Sequence, residues 1–520
     1  MNSCTATKIN IETETETETG TGTSTGTGTD KRLSKRLVIL VFTAFAAAYF
    51  CSALVRSITA TLSPVLTQEF ALQARDLGLL GGGYFLGFAA MQLPLGTWLD
   101  RHGPKRMLLW FLSLAVLGCL AFSSAGSFAW LLAARVMIGM GVGACLMAPL
   151  TGFRRWFDAA TMLRANSWML MTGSLGMLAS TLPVQWLMPL TGWRPLFWIL
   201  AGLILLSMAV IGWVVPAWTS TTIEGDGRRA GPPQARPAPL GGREPHAVGE
   251  RGGNISAGPP QARPAPLGGR EPHAVGERGG AHSFKQGPRD WLRQTAGAAA
   301  PSGGSEPREA GSVGATSSYA EIWNNRFFQK MAPLAFFNYG GLVAVQTLWA
   351  GPWMVKVAGY TALESATGLF YINACMLVTF WGWGMLNPRL ARRGWQATRL
   401  IAWGVPLSLL SLAVNIALGA ACGWLGWAIF CISSSVMGLA QPAVGMAFRA
   451  SLAGRALSGY NLVIFSGIFV VQWGIGLLVD GLQASGWGTV ASFQGAMAVL
   501  LCCCVASYLY FFRVKVDNPE

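Results

Sequence analysis

The 520 residues are 52% apolar and only 12% charged, with a net charge of +15. A soluble domain typically carries about 25% charged residues, so water is excluded as the main solvent of this chain and lipid takes its place. The positive charge falls between apolar runs rather than on one continuous basic face, which excludes a nucleic-acid-binding surface and marks cytoplasmic loops instead.

Residues 1–36 open with a Glu-Thr alternation and Gly-Thr repeats, and this composition predicts a disordered tail. Apolar runs then recur near 37–60, 77–99, 106–124, 128–150, 166–190 and 195–216. A hydrocarbon core about 30 Å thick takes roughly 20 helical residues, so these are predicted spans 1 to 6, within 37–218. A second set, near 331–355, 366–388, 398–419, 423–446, 458–480 and 488–512, gives predicted spans 7 to 12, within 319–512. A tail, 513–520, ends the chain. Between the halves lies 219–318, rich in Gly, Pro, Ala and Arg, where Ala230–Gly253 is repeated letter for letter as Ala257–Gly280. Two copies are too few for a folded repeat module, so a disordered linker is expected. The expected fold class is an all-α membrane protein with 12 transmembrane helices.

Orientation follows from short-loop charges. One side collects Lys31, Arg32, Lys35, Arg36, Arg101, Lys105, Arg106, Arg154, Arg155, Arg164, Arg389, Arg392, Arg393, Arg399, Arg449, Arg455, Arg513 and Lys515, and the other holds only Arg75, Arg194 and Lys356. The bias places both termini and the linker in the cytoplasm of a bacterial inner membrane. The segment Tyr319–Lys330, with Trp323, Phe327 and Phe328 beside Arg326 and Lys330, suggests a short surface helix leading into span 7.

Between spans 2 and 3 the chain reads Gly96-Thr-Trp-Leu-Asp100-Arg101-His-Gly103-Pro-Lys105-Arg106. This resembles the loop 2–3 signature of the major facilitator superfamily, G-x-L-x-D-R-x-G-R-K-x-x-L, with Trp98 in place of its Leu and Pro104 in place of a basic residue. In span 4, Arg135-x-x-x-Gly139-x-Gly141-x-Gly143 resembles the superfamily's R-x-x-x-G-x-G motif. The halves also echo one another. Pro149-x-x-Gly152-Phe153-Arg154 has a relative in Pro442-x-x-Gly445-x-x-Phe448-Arg449, and Gly384-x-x-Asn387-x-Arg389 reads as a decayed copy of the loop motif.

The resemblance implies two pseudo-symmetric six-helix bundles that rock about a site near the midplane, in other words secondary active transport by alternating access. It makes Gly96, Asp100, Arg101, Gly103 and Lys105 a conformational latch, with Asp100 facing the start of span 11, where a helix N-terminus carries partial positive charge. It offers Arg135, with Gly139, as a coupling candidate.

The residues add their own reading. Arg56 lies inside span 1, where lipid exposure is expensive, so it either points into a central cavity or snorkels to the rim. In the cavity its forked guanidinium suits a carboxylate or phosphate. Tyr49 stands two turns earlier on the same helix. Span 7, which mirrors span 1, contributes Asn338, Tyr339, Gln346 and Trp349 as further substrate-binding candidates. Further buried amides occur in spans 2, 8, 10 and 11. The acids outside tails and linker, Glu69, Asp76, Asp100, Asp158, Glu321, Glu364 and Asp480, all fall at span ends or in loops.

A small organic anion, carboxylate-like, or a neutral metabolite is therefore the expected cargo, with a proton or other ion as a coupling partner. Efflux of drugs or metabolites and a transporter-like sensor are the alternatives. The chain has no metal-ligand cluster, nucleophile elbow or phosphate-binding Gly-rich loop with its Lys, so it is expected to be no enzyme and to need no cofactor or metal. It is expected to act as a monomer in the lipid bilayer.

Overall fold

The computed structural model describes residues 35–157, 159–216 and 317–514. The expected tail up to residue 34, nearly all of the linker with both its repeats, and residues 515–520 lie outside them. The described residues belong to one compact unit and contain no strand.

Span 1 is the helix Lys35–Phe70, longer than its apolar run and unbroken by Pro64. Spans 2 and 3 are Ala74–Gly96 and Arg101–Ser123. They belong to one continuous stretch, Ala74–Ser123, that kinks near the start of span 3 at Gly103, whose φ of 76° lies where a side chain would be strained. Span 4 runs through Phe128–Val142 and Met147–Trp156, and span 5 through Ala159–Ala179 and Leu182–Thr191, parted just before Pro183. Span 6 is Trp193–Val214.

In the second half a short helix, Ser317–Asn324, precedes span 7 as the aromatic-basic segment suggested. Asn325 caps the next helix, Arg326–Leu334, by accepting the Phe328 amide at 3.1 Å. Span 7 then carries two π turns, Ala335–Tyr339 and Val345–Trp349, before ending at Lys356. Span 8, Ala362–Arg392, starts with a reciprocal Thr361–Glu364 capping box. Spans 9 to 12 follow as Ala397–Leu418, Gly423–Met446 with a 3₁₀ turn, Ala450–Ala484 and Thr489–Arg513.

Nine stretches of the described residues are long and apolar enough to cross a bilayer. Predicted spans 9 and 10 fall within one of them, Ala397–Met446. Spans 5 and 7 are not among the nine.

Apolar side chains lie both inside and outside. Phe197, Trp349 and Trp427 are fully buried, whereas Trp213 is 85% and Leu190 82% exposed. That outer surface has no driving force to face water and fits hydrocarbon. Inside, spans 2 and 4 approach until a methyl group at Gly139 would meet the Tyr84 carbonyl and one at Gly87 the Val136 carbonyl. Backbones this close gain packing that larger residues would forbid. The two halves meet along spans 2 and 11, between spans 1 and 7, and between spans 5 and 8.

Candidate binding site between spans 1, 2, 4 and 7

Tyr49, Ser52 and Arg56 recur at three- and four-residue steps, which puts them on one face of span 1. That face is turned inward. Three phenols, Tyr49 from the same helix, Tyr84 from span 2 and Tyr339 from span 7, lie within electrostatic reach of the Arg56 guanidinium. Arg56 Nε is buried and has no partner. Gly173 of span 5 leaves the room that the Tyr49 ring fills, since a methyl group there would sit 2.6 Å from Tyr49 Cε1.

Arg135 is 0% exposed. Its Nη1 donates to the Val55 carbonyl at 2.9 Å and its Nη2 to the Arg56 carbonyl at 3.1 Å. The guanidinium lies 5.1 Å from the centroid of the Tyr84 ring, a cation–π contact that is strongest where water is excluded. Arg135 thus holds the backbone of span 1 at the residue that carries Arg56. Its Nε, like that of Arg56, is buried without a partner.

Among the described residues neither arginine has a counter-charge. The ion pairs among the described residues join Arg75 to Asp76 and Asp480, Arg194 to Glu69, and Arg449 to Glu321. A buried charge left uncompensated is costly, and two cations on one pair of helices make the interior a place where an anion is favoured. Tyrosine hydroxyls beside them can donate or accept, so they can hold the second oxygen of a carboxylate or a neighbouring hydroxyl.

The span 7 candidates divide. Tyr339 joins Arg56. Asn338 Nδ2 instead donates to Ser507 Oγ at 2.8 Å and the Cys504 carbonyl at 3.3 Å on span 12. Gln346 Nε2 donates to Asn373 Oδ1 of span 8 at 3.0 Å. Trp349 is fully buried, and its indole N–H donates to the Gln472 carbonyl of span 11 at 3.0 Å. Gln472 Nε2 in turn donates to Thr347 Oγ1 at 2.9 Å. An amide chain joins the halves nearer the termini: Gln441 donates to Asn461 at 2.8 Å, and Asn461 lies 3.5 Å from Gln92.

At the expected latch, Gly96 faces span 11, with its absent methyl group 3.7 Å from Ser458 Oγ. Arg101 is exposed, and Lys105 Nζ donates to the Val215 carbonyl at the end of span 6 at 2.7 Å. The side chain of Asp100 lies outside the described residues.

Sequence reasoning passes over two contacts. Gly173 gives no sign of being the seat of Tyr49. Asp480 reads as a span-end acid, yet it reaches the backbone of span 2, 406 residues away. No local pattern could signal a partner at that distance.

The family model described as Major Facilitator Superfamily matches residues 45–471. Among curated relatives, a probable L-galactonate transporter of Escherichia coli (strain K12) is 29% identical over 190 residues, 35% of this chain and 39% of that protein. A probable sulfoacetate transporter of Cupriavidus necator is 26% identical over 186 residues, 36% of this chain and 41% of that protein. Each match therefore spans only about two fifths of the relative's length. Among solved structures, a bacterial homologue of the human lysosomal transporter Spinster, inward-facing and unoccupied, aligns with a TM-score of 0.62 at 15% identity, covering 92% of this chain and 97% of that one. At that identity the likeness shows the fold alone. With the family model extending from span 1 into span 11, over most of the chain, the chain belongs to the major facilitator superfamily.

Proposed function

We propose that this secondary transporter carries a small organic anion, gripped at Arg56 as the two bundles, 37–218 and 319–512, rock about it. One observation carries the reading: among the described residues Arg56 and Arg135, both within predicted spans, have no carboxylate partner, and Arg56 keeps a buried N–H free with three phenols in electrostatic reach. An anion supplies the missing charge and accepts that N–H in the forked geometry guanidinium favours. Two of the relatives, named for L-galactonate and sulfoacetate, are named for acids. The loop charges support cytoplasmic termini in a bacterial inner membrane, and no feature of the reading requires more than a monomer.

The test is a thermal-shift screen of purified wild type and Arg56→Ala against carboxylates, sugar phosphates, neutral metabolites and lipophilic cations. A ligand that binds only the folded state raises Tm by mass action. The expected result is a carboxylate that stabilises wild type and not the variant, followed by its uptake into proteoliposomes. Stabilisation of both proteins by lipophilic cations alone would sink the anion reading and favour efflux.

A further inference from the structure

We propose that Asp480 is a gating residue, the clasp that closes the end of the transporter remote from its termini. The proposal rests on the alternating-access reading. Spans 2 and 11 are antiparallel, so the last turn of one lies beside the first turn of the other. Asp480, in the last turns of span 11, accepts the Ala74 amide at 3.1 Å through Oδ1 and the Arg75 amide at 2.9 Å through Oδ2. These belong to the first turn of span 2, where N–H groups have no partner within the helix and the macrodipole is positive. The neighbouring Asp76 carboxylate takes the Gln73 amide at 3.1 Å, so the donors are divided between an acid of this half and one of the other.

Two further observations make this more than a surface contact. The Asp480 side chain is only 17% exposed, and Arg75 Nε stands 3.9 Å from its Oδ2. One turn earlier, Gly476 lies so close to span 2 that a methyl group there would meet the Ala74 carbonyl. The backbones are thus held together at this end, and the carboxylate is aimed at the amides by that approach. Because its partners sit on the opposite bundle, the clasp exists only while this end is shut.

The arrangement is reciprocal. The superfamily resemblance gives Asp100, at the far end of span 2, the N-terminus of span 11. Here span 11 returns a carboxylate to the N-terminus of span 2. One helix pair then carries a clasp at each end, and in an alternating cycle the two are made in turn.

Hydrogen–deuterium exchange on the full chain in lipid nanodiscs tests this with Asp480→Ala and Asp480→Asn. In Asp480→Ala, exchange within residues 71–80 is expected to rise on the order of tenfold, the loss of charge-assisted bonds to two amides. As the remote end opens, residues 97–106 and 447–458 at the other end are expected to gain protection. Asp480→Asn keeps one acceptor but not the charge, gives a smaller shift in the same directions, and carries the test if the alanine variant does not fold. Faster exchange confined to 71–80, with the other end unchanged, would make Asp480 a local cap and overturn the proposal. Anion uptake by wild-type proteoliposomes is read separately: its absence defeats the carrier reading whatever the exchange pattern.

Discussion

Arg56 and Arg135 are two arginines with different tasks, and their contacts separate them. Arg56 has a buried N–H without a partner among the described residues and phenols in electrostatic reach, whereas Arg135 spends two N–H groups on the carbonyls of Val55 and Arg56. On the proposed reading, removing Arg56 deletes the anion's grip. Charge-assisted hydrogen bonds contribute about 1.5–3 kcal/mol, so Arg56→Ala is expected to weaken anion binding roughly 10- to 100-fold, measurable by titration calorimetry. Arg56→Lys keeps the charge without the fork and is expected to fall between. Arg135→Met removes two hydrogen bonds and an uncompensated buried charge together. These oppose one another, so Tm is expected to move by only a few degrees while anion affinity falls because span 1 is no longer fixed at Arg56. A large drop in Tm with affinity intact would show Arg135 to be a fold-stabilising group alone.

Among the elements, span 7 departs most from its sequence reading. Its mirroring of span 1 offers Asn338, Tyr339, Gln346 and Trp349 as substrate-binding candidates, but the helix contains two π turns. Each inserts one residue and rotates the remainder of the helix by about 100°. Asn338, Gln346 and Trp349 bond spans 12, 8 and 11, and Tyr339 alone of the four stands beside Arg56. Spans 2 and 4 have backbones in contact at Gly139 and Gly87. Gly139→Ala would push its methyl group into the Tyr84 carbonyl and displace a phenol of the site. Overpacking of this kind costs about 1–3 kcal/mol. The expected outcome is a lower Tm and weaker anion binding, and an alanine variant with wild-type values for both would show that the helices can part without loss.

At the scale of the whole molecule, the halves touch mainly through spans 2 and 11, 1 and 7, and 5 and 8, and the proposed Arg56 site lies on spans 1, 2 and 7 of that seam. The segment 219–318 separates the halves in sequence. Replacing it with a short Gly/Ser linker long enough to span the gap is expected to leave uptake unchanged, because no candidate binding residue lies within it. Loss of uptake in a variant that still reaches the membrane would instead favour a role for the linker, as a sensor would require.

The sequence alone determined the class of solvent, the all-helical character and the family motifs. Each of these depends on composition or on spacing of a few residues, and lipid enforces them strongly: about 20 apolar residues must be helical there because no water can satisfy the backbone. It also singled out Arg56, since a charge inside an apolar run is conspicuous. Tertiary structure alone decided what Arg56 meets. Tyr49, Tyr84 and Tyr339 come from three helices, and the Val55 and Arg56 carbonyls receive a side chain about 80 residues distant. Asp480 meets Ala74 on the same terms. A helix fixes which residues share a face, but the partner of that face is set by how helices pack, and two π turns are enough to change it.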